Sequence, residues 1–376
     1  MSVADVSTWQ RDGVVLLPGS EPTSLHERSV HEALGATLAS MLGCRFLGDY
    51  APQRHVGGRY YFIPAHTLLG RARHESLGIG CTADFFGGRV EQPFMATKAI
   101  THALPGFARH VPRGWCREFA RRAADAILVG YTVFDLEEGR RAGEELLERG
   151  PVRIKPVLGK AGRGQRVVSE ATALAEAIAA QDAAQVATWG LVLEEDLVDE
   201  VVTYSVGQVQ VAGITASYYG TQALTEDNSG ERVYGGSELL VVRGGYAELL
   251  ALPLEAAALT AINQARTYED AAIAGFPGFL ASRRNYDVAQ GRNARGETCS
   301  GVLEQSWRIG GASAAEVHAL AALATDPSLR CIRAATIERY GAANPPADAI
   351  VLFQGEDPEV GRISKSVRLE PYEYQQ

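Results

Sequence analysis

With 376 residues, of which 46% are hydrophobic and 22% charged, the chain is too long for one small core and too apolar for a disordered segment, so two or three packed units are expected. A formal net charge of −9 argues against a general nucleic-acid binder, and five cysteines without a CxxC pair exclude a zinc knuckle and a disulfide framework. No run approaches the ~20 apolar residues of a membrane span, and Val14–Leu17 is too short for a signal segment, so a cytoplasmic protein with reduced thiols and no membrane or nucleic-acid partner is predicted.

Residues 1–95 alternate strand and helix patterns: VVLL at 14–17, a helical run from Ser24 to Leu42, then CRFL, RYYFI and a helical TLLGRARHESLG. That alternation predicts a small parallel α/β unit. Over 96–190, helices are expected at Thr97–Leu104, Arg117–Leu128 and Asp135–Glu148, the last ended by Gly150-Pro151. Two β-branched strands follow, Val152–Val157 and Gln165–Val168, and then an alanine-rich helix from Glu170 to Ala180. The strand GLVLEEDL at 190–197 leads into residues 191–376, which are mainly β at first. Thr203–Tyr219 alternates in period two and ELLVVRGG follows from Glu238, implying a long sheet. A helix at Leu254–Ala274, strands around Phe279–Ser282 and Gly301–Leu303, and a helix at Ala314–Ala324 complete the expected elements.

The segment VRIKPVLGKAGRGQRVV, residues 152–168, joins its two strands through a turn rich in glycine and cations. It is not a P-loop, because Lys160 is followed by Ala161, and not a dinucleotide fingerprint, because position 167 is Val where a third glycine would open a helix. Two readings remain: a hairpin whose backbone N–H groups approach a polyphosphate while Lys155 projects from the first strand, and a solvated turn carrying scattered charge.

Other charged residues fall at the ends of elements. Lys98 opens the ATKAITHAL helix pattern, Glu194 and Glu195 end a strand in VLEEDL, Asp287 lies in RRNYDVAQG, and Glu304 in VLEQSWRIGGAS. Two carboxylates brought together would be hard-oxygen ligands for Mg²⁺ carried by nucleotide phosphates. Arg308, four residues after Glu304, offers a planar guanidinium for a carboxylate or a phosphoryl group. Each alone reads equally well as an ordinary surface charge.

Taken in order, Lys98, Lys155-Pro156, the turn at 159–164, Glu194-Glu195 and Glu304-Gln305-Ser306-Trp307-Arg308 resemble the ATP-grasp superfamily over roughly 96–324. The whole chain, with EQSWRIGGAS and ASRRNYD, is also similar to an uncharacterised bacterial family assigned a domain of unknown function. The resemblance implies an ATP-grasp fold of mixed α/β and α+β class, with a small parallel α/β domain at 1–95, a lid and central part at 96–190 and a metal and acceptor part at 191–376. It implies ATP held by Lys98, Lys155, Lys160, Gly162 and Gly164, with Glu194, Glu195 and Leu197 at the purine and Glu200 at the ribose. It places Mg²⁺ on Asp287, Glu304 and Ser306, and gives Arg308 and Lys155 to the transferring phosphoryl group.

The chain departs from the family pattern twice. Ser306 stands where the family has an Asn, and the hinge lacks the usual glycine before its second acid. Arg243, Arg283 and Arg284, with Tyr218 and Tyr219, are candidates for an acceptor pocket. The implied reaction is an ATP-dependent ligation: a small-molecule carboxylate is phosphorylated and an amine or other nucleophile displaces phosphate. A small-molecule kinase and a non-catalytic nucleotide sensor are the alternatives, and a homodimer is left open.

Overall fold

A computed structural model describes residues 11–19, 22–159 and 164–372. The N-terminal part comprises β1 (Gly13–Leu17), α1 (Leu25–Met41), β2 (Phe46–Asp49), β3 (Tyr60–Pro64), β4 (Leu68–Leu69), α2 (Arg71–Glu75) and β5 (Gly88–Val90). β1 pairs in parallel with both β2 and β3, as the alternating pattern predicts. The helix expected in TLLGRARHESLG is largely replaced by β4 and the short α2, because Gly70, at φ 79°, breaks the run in its middle.

Next come α3 (Arg117–Ala123), β6 (Gly130–Val133), α4 (Leu136–Leu147), β7 (Val152–Pro156), β8 (Arg166–Val168), α5 (Ala171–Ala179), α6 (Ala183–Trp189) and β9 (Leu191–Glu195). The four strands form an antiparallel sheet in the order β6-β9-β7-β8, with β7 and β8 as the expected hairpin. Val152, Ile154, Leu191 and Leu193 point to one face and pack with Leu146, Leu174 and Ile178 of α4 and α5. Period-two alternation then turns Lys155 and Glu194 to the opposite face. Asp135 starts α4 by accepting hydrogen bonds from the N–H groups of Glu137 and Glu138 at 2.9 and 3.0 Å. The expected boundary at 190 separates β9 from this sheet, yet β9 is its second strand.

The remaining elements are β10 (Leu197–Val211), β11 (Ile214–Glu226), β12 (Arg232–Arg243), α7 (Tyr246–Leu250), α8 (Ala256–Gly275), β13 (Leu280–Ala281), β14 (Arg283–Asn293), β15 (Thr298–Ser306), α9 (Ser313–Thr325), β16 (Cys331–Tyr340), β17 (Ile350–Asp357) and β18 (Gly361–Pro371). The alternation read through 203–219 is split between two antiparallel strands, since Ala212 and Gly213 take positive φ and reverse the chain. An eight-stranded antiparallel sheet runs β15-β14-β10-β11-β12-β16-β18-β17. One face packs on α8 through Val206, Leu240, Tyr268 and Tyr286, and α3 backs α8 where Phe119 meets Tyr268. The other packs partly on α1 and α9 through Val209, Tyr218, Leu239 and Leu320, and elsewhere opens to a cleft. The small parallel sheet, the four-stranded antiparallel sheet and the large antiparallel sheet form the mixed architecture expected of an ATP-grasp fold. Among the described residues, no helix is long and apolar enough to cross a membrane.

Candidate active site

A cleft of about 680 Å³ runs between the four-stranded sheet, the open face of the eight-stranded sheet and the start of α1. Lys155 enters it from β7 and lies 2.8 Å from Glu194 of neighbouring β9, both side chains being almost wholly buried. The other oxygen of Glu194 is 3.0 Å from His102 Nε2. Burial alone would raise the Glu194 carboxyl, but Lys155 and His102 outweigh it and hold the group at about 2.

Lys98 reaches the same place by another route. The helix expected at Thr97–Leu104 is instead a single 3₁₀ turn, Lys98–Ile100, in a stretch bounded by Pro93 and Pro105, with Thr97 Oγ1 accepting from Ala99 N at 3.2 Å. From this turn Lys98 Nζ lies 2.6 Å from Glu304 Oε2 and donates to the carbonyl of Gly159, where the glycine turn begins, at 3.4 Å. Gln305, whose side chain leaves the other face of β15, donates to the carbonyls of Met95 and Thr97 at 3.2 and 2.7 Å and so anchors this segment.

Glu304 sits opposite Asp287 across β14 and β15. The register then slips, Val288 facing Val302, so Leu303 is an extra residue and its carbonyl accepts from Lys155 Nζ at 3.4 Å. Burial, then the neighbouring Glu304 charge, raises Asp287 to about 6 against opposition from Gln222, Arg283 and Ser205. Burial also acts upward on Glu304, but the charges of Lys98 and Lys155 bring it below its ordinary range. Ser205 Oγ donates to Asp287 Oδ1 at 3.3 Å, and Gln222 Nε2 donates to Ser205 Oγ at 2.9 Å. Arg308 lines the cleft beside this pair. Burial pulls its guanidinium downward, and the charges of Glu304 and Glu27 oppose that.

Lys98, Lys155, Asp287, Glu304 and Arg308 are thus brought together, and Glu194, Glu195 and Leu197 border the same cleft. Glu195 is also held by Val129 N at 3.1 Å and Asn293 Nδ2 at 3.3 Å. Gly164 ends the glycine turn at φ 76°, whereas Lys160 and Gly162 lie outside the described residues. Glu200 does not border the cleft: its left-handed backbone, at φ 52°, leaves the side chain exposed and 2.9 Å from Arg292.

The three substrate candidates all have partners within the chain, and of them only Arg283 borders the cleft. Arg243 donates to the carbonyls of Leu323, Asp326 and Leu329, tying down the end of α9, which its charge also complements. Arg284 emerges on the α8 face of β14, 3.2 Å from Glu269 and hydrogen-bonded to Gln208. Arg283 does face the cleft side, but it forms a buried fork with Glu316 at 2.8 and 2.6 Å and donates to the carbonyls of Ser306 and Arg308 at 2.8 and 2.6 Å. Tyr218 donates to the same Glu316 at 2.6 Å. Ser306 Oγ accepts from Arg283 Nη1 at 3.0 Å, and a guanidinium that close makes this hydroxyl a poor cation ligand, contrary to the metal role expected for it.

The cleft is also lined by residues not proposed for it from the sequence, among them Ser24, Glu27, His66, Tyr234, Glu338 and Lys365. Glu338 and Lys365 are cross-strand partners on β16 and β18, 3.0 Å apart. Alternation in TIERY and ISKSV could have flagged this pair, whereas nothing local marks His102 as the second partner of Glu194.

The donor set fits nucleotide-borne Mg²⁺. Two oxygen-bearing carboxylates share one site, and among the described residues no group of three His, Cys, Asp or Glu is placed to hold an ion by itself. Two lysines beside them match the charge of a polyphosphate.

The model of a family described as "Protein of unknown function (DUF3182)" matches residues 14–367. No curated protein sequence matches the chain. Among solved structures, N5-carboxyaminoimidazole synthetase from Staphylococcus aureus is similar with a TM-score of 0.49 and 12% identity, covering 97% of this chain and 95% of that one. Phosphoribosylamine–glycine ligase from Thermotoga maritima is similar with a TM-score of 0.49 and 12% identity over 94% and 92% of the two chains. D-alanyl-alanine synthetase A from Vibrio cholerae gives 0.40 and 10% over 80% and 90%.

Proposed function

The chain belongs to this family of unknown function, and we propose that it is an ATP-dependent ligase that activates a small-molecule carboxylate as an acyl phosphate, joins it to an amine or other nucleophile, and releases ADP and phosphate. The observation that carries this reading is the convergence of Lys98 and Lys155 on the strand-paired Asp287 and Glu304, with Arg308 in the same cleft.

Bound Mg-ATP would supply the phosphoryl group. Lys98 and Lys155 would neutralise phosphate oxygens, and Asp287 and Glu304 would hold the cation. Both lysines are ion-paired within the chain, so nucleotide binding exchanges those contacts for phosphate rather than filling a ring of unpaired charges. Arg308 borders the cleft within reach of the Glu27 charge on α1 and would stabilise negative charge developing on the carboxylate undergoing transfer. Lys98 Nζ donates to the carbonyl of Gly159, where the turn of the β7–β8 hairpin begins, and a hairpin closed over the site would exclude water from an acyl phosphate that water destroys.

The test is product analysis of the purified protein with pooled small carboxylates and amines. ADP and inorganic phosphate are expected, with hydroxylamine intercepting the intermediate as a hydroxamate when the amine is withheld. ¹⁸O in the substrate carboxylate should appear in phosphate. AMP with pyrophosphate, or a stable phosphorylated alcohol as a kinase would make, rejects the ligase.

A further inference from the structure

We propose that Asn285 supplies a third protein oxygen to the cation held by Asp287 and Glu304, so that the amide absent from position 306 is provided by the neighbouring strand. The inference rests on the nucleotide-borne cation of the proposed function. It begins from an unsatisfied group: Asn285 is 5% exposed, and its buried Nδ2 has no hydrogen-bond partner. Buried side-chain amides are normally paired, so an unpaired one bordering a cleft points to something that the cleft receives.

The topology places this amide at the cation site. Asn285 is two residues before Asp287 on β14 and therefore on the same face, and it lies directly opposite Ser306 across β15. All four residues, Asn285, Asp287, Glu304 and Ser306, border one cleft. Half a turn about the terminal bond brings Oδ1 to the place of Nδ2 and forfeits no hydrogen bond of Nδ2, since it has none.

The competing neutral groups are occupied. Ser306 Oγ accepts from the Arg283 guanidinium, Gln305 is spent on the carbonyls of Met95 and Thr97, and Gln222 turns its Nε2 toward Ser205. A neutral amide oxygen also suits a site that already has two acids, because a third carboxylate would add to the repulsion that raises Asp287.

The experiment is a paramagnetic titration of free Mn²⁺ with the full chain in the presence of ADP and without a carboxylate substrate. Asn285→Ala and Asn285→Ser, checked for folding by circular dichroism, are each expected to weaken Mn²⁺ uptake about 10- to 100-fold. The double variant Asn285→Ala, Ser306→Asn is expected to regain most of that loss, since it returns an amide to the opposite strand. A purely structural role for Asn285 would give no such recovery. Wild-type affinity in a folded Asn285→Ala or Asn285→Ser protein, absence of recovery in the double variant, or no Mn²⁺ uptake by the unaltered protein overturns the inference. Mn²⁺ uptake through Asn285 in a protein that forms no acyl phosphate would reject the ligase and leave this site standing.

Discussion

The two ends of the cleft are built differently. At the end bearing Lys155 and Glu304, charged groups come from adjacent strands and meet across one ladder spacing: Lys155 with Glu194, and Asp287 opposite Glu304. At the other end, Glu338 and Lys365 are also a strand pair, but the start of α1, from the first fifty residues, faces β12, β16 and β18 across the cleft, so most of this wall is drawn from segments remote in sequence. Strand pairs fix a geometry rigidly, which suits the phosphate and metal chemistry proposed for this end. A wall assembled from remote segments can change its side chains without disturbing that geometry, which suits selection of a substrate.

Removing charge from the first end should have the largest effect. Glu304→Gln removes a proposed cation ligand and leaves Lys98, 4% exposed, without its carboxylate; ATP-dependent ADP release is expected to fall about 10³-fold with folding retained. Steady-state kinetics with a circular-dichroism control checks this, and near wild-type turnover with unchanged Mg²⁺ dependence removes Glu304 from the site.

Lys155→Met tests whether the strand pair is structural as well as functional. It leaves Glu194 buried beside His102 without its ammonium, a loss expected to cost about 3 kcal/mol in urea unfolding and to weaken Mg-ATP in calorimetry. Lys155→Met with Glu194→Gln should recover most of the stability but not the ATP affinity. Recovery of both would make the lysine a scaffold only.

Glu194 and Asp287, two of the carboxyls at this end, respond to acid in opposite senses. Glu194 is held at about 2, below its ordinary 4.5, so its contribution to stability is present above pH 4.5 and lost as the pH falls toward 2. Asp287 is raised from 3.8 to about 6, so its protonated form favours folding below pH 3.8 and that advantage is lost as the pH rises through 6. A cation requires Asp287 ionised, so Mn²⁺ affinity should fall by up to about tenfold per pH unit below 6. A titration series between pH 5 and pH 7.5 (both roughly chosen to bracket that value) reads the slope. A flat profile would separate Asp287 from the cation.

The smallest effect on the nucleotide is expected from the far end. Lys365→Met, which unpairs Glu338 at the acceptor wall, should raise the KM for the carboxylate or amine about tenfold while leaving the KM for ATP within about twofold. Equal changes in both would mean that the ends of the cleft are not independent.

Much of the end bearing Lys155 and Glu304 is legible in local sequence. Alternation in VRIKP and LVLEE puts Lys155 and Glu194 opposite an apolar face, and glycines between two β-branched runs give a hairpin, because both signals operate within a few residues. The parallel N-terminal sheet follows in the same way from strand and helix in turn. Lys98 stands out in the sequence as a residue, but its element is misread, since a single 3₁₀ turn between prolines carries the same apolar pattern as a short helix.

Sequence by itself therefore determined the order of the charged segments, the hairpin and the faces of individual strands. Tertiary structure alone decided which face met what. Arg283 and Arg284 are equivalent in a list of cations, yet one side chain finds Glu316 from α9 and the other Glu269 from α8. Arg243 reads as a strand-end cation until α9 presents its last carbonyls. The final strands β16 to β18 and their Glu338–Lys365 pair complete a sheet through β12, whose partners on β16 lie 89 (Val242 to Cys331) to 101 (Gly236 to Ile337) residues away, and Asn285 gains its place opposite Ser306 only through the register of β14 on β15. Strand periodicity is set by local backbone geometry, whereas register and partner choice are set by burial summed over the whole sheet, and no window of the chain contains that sum.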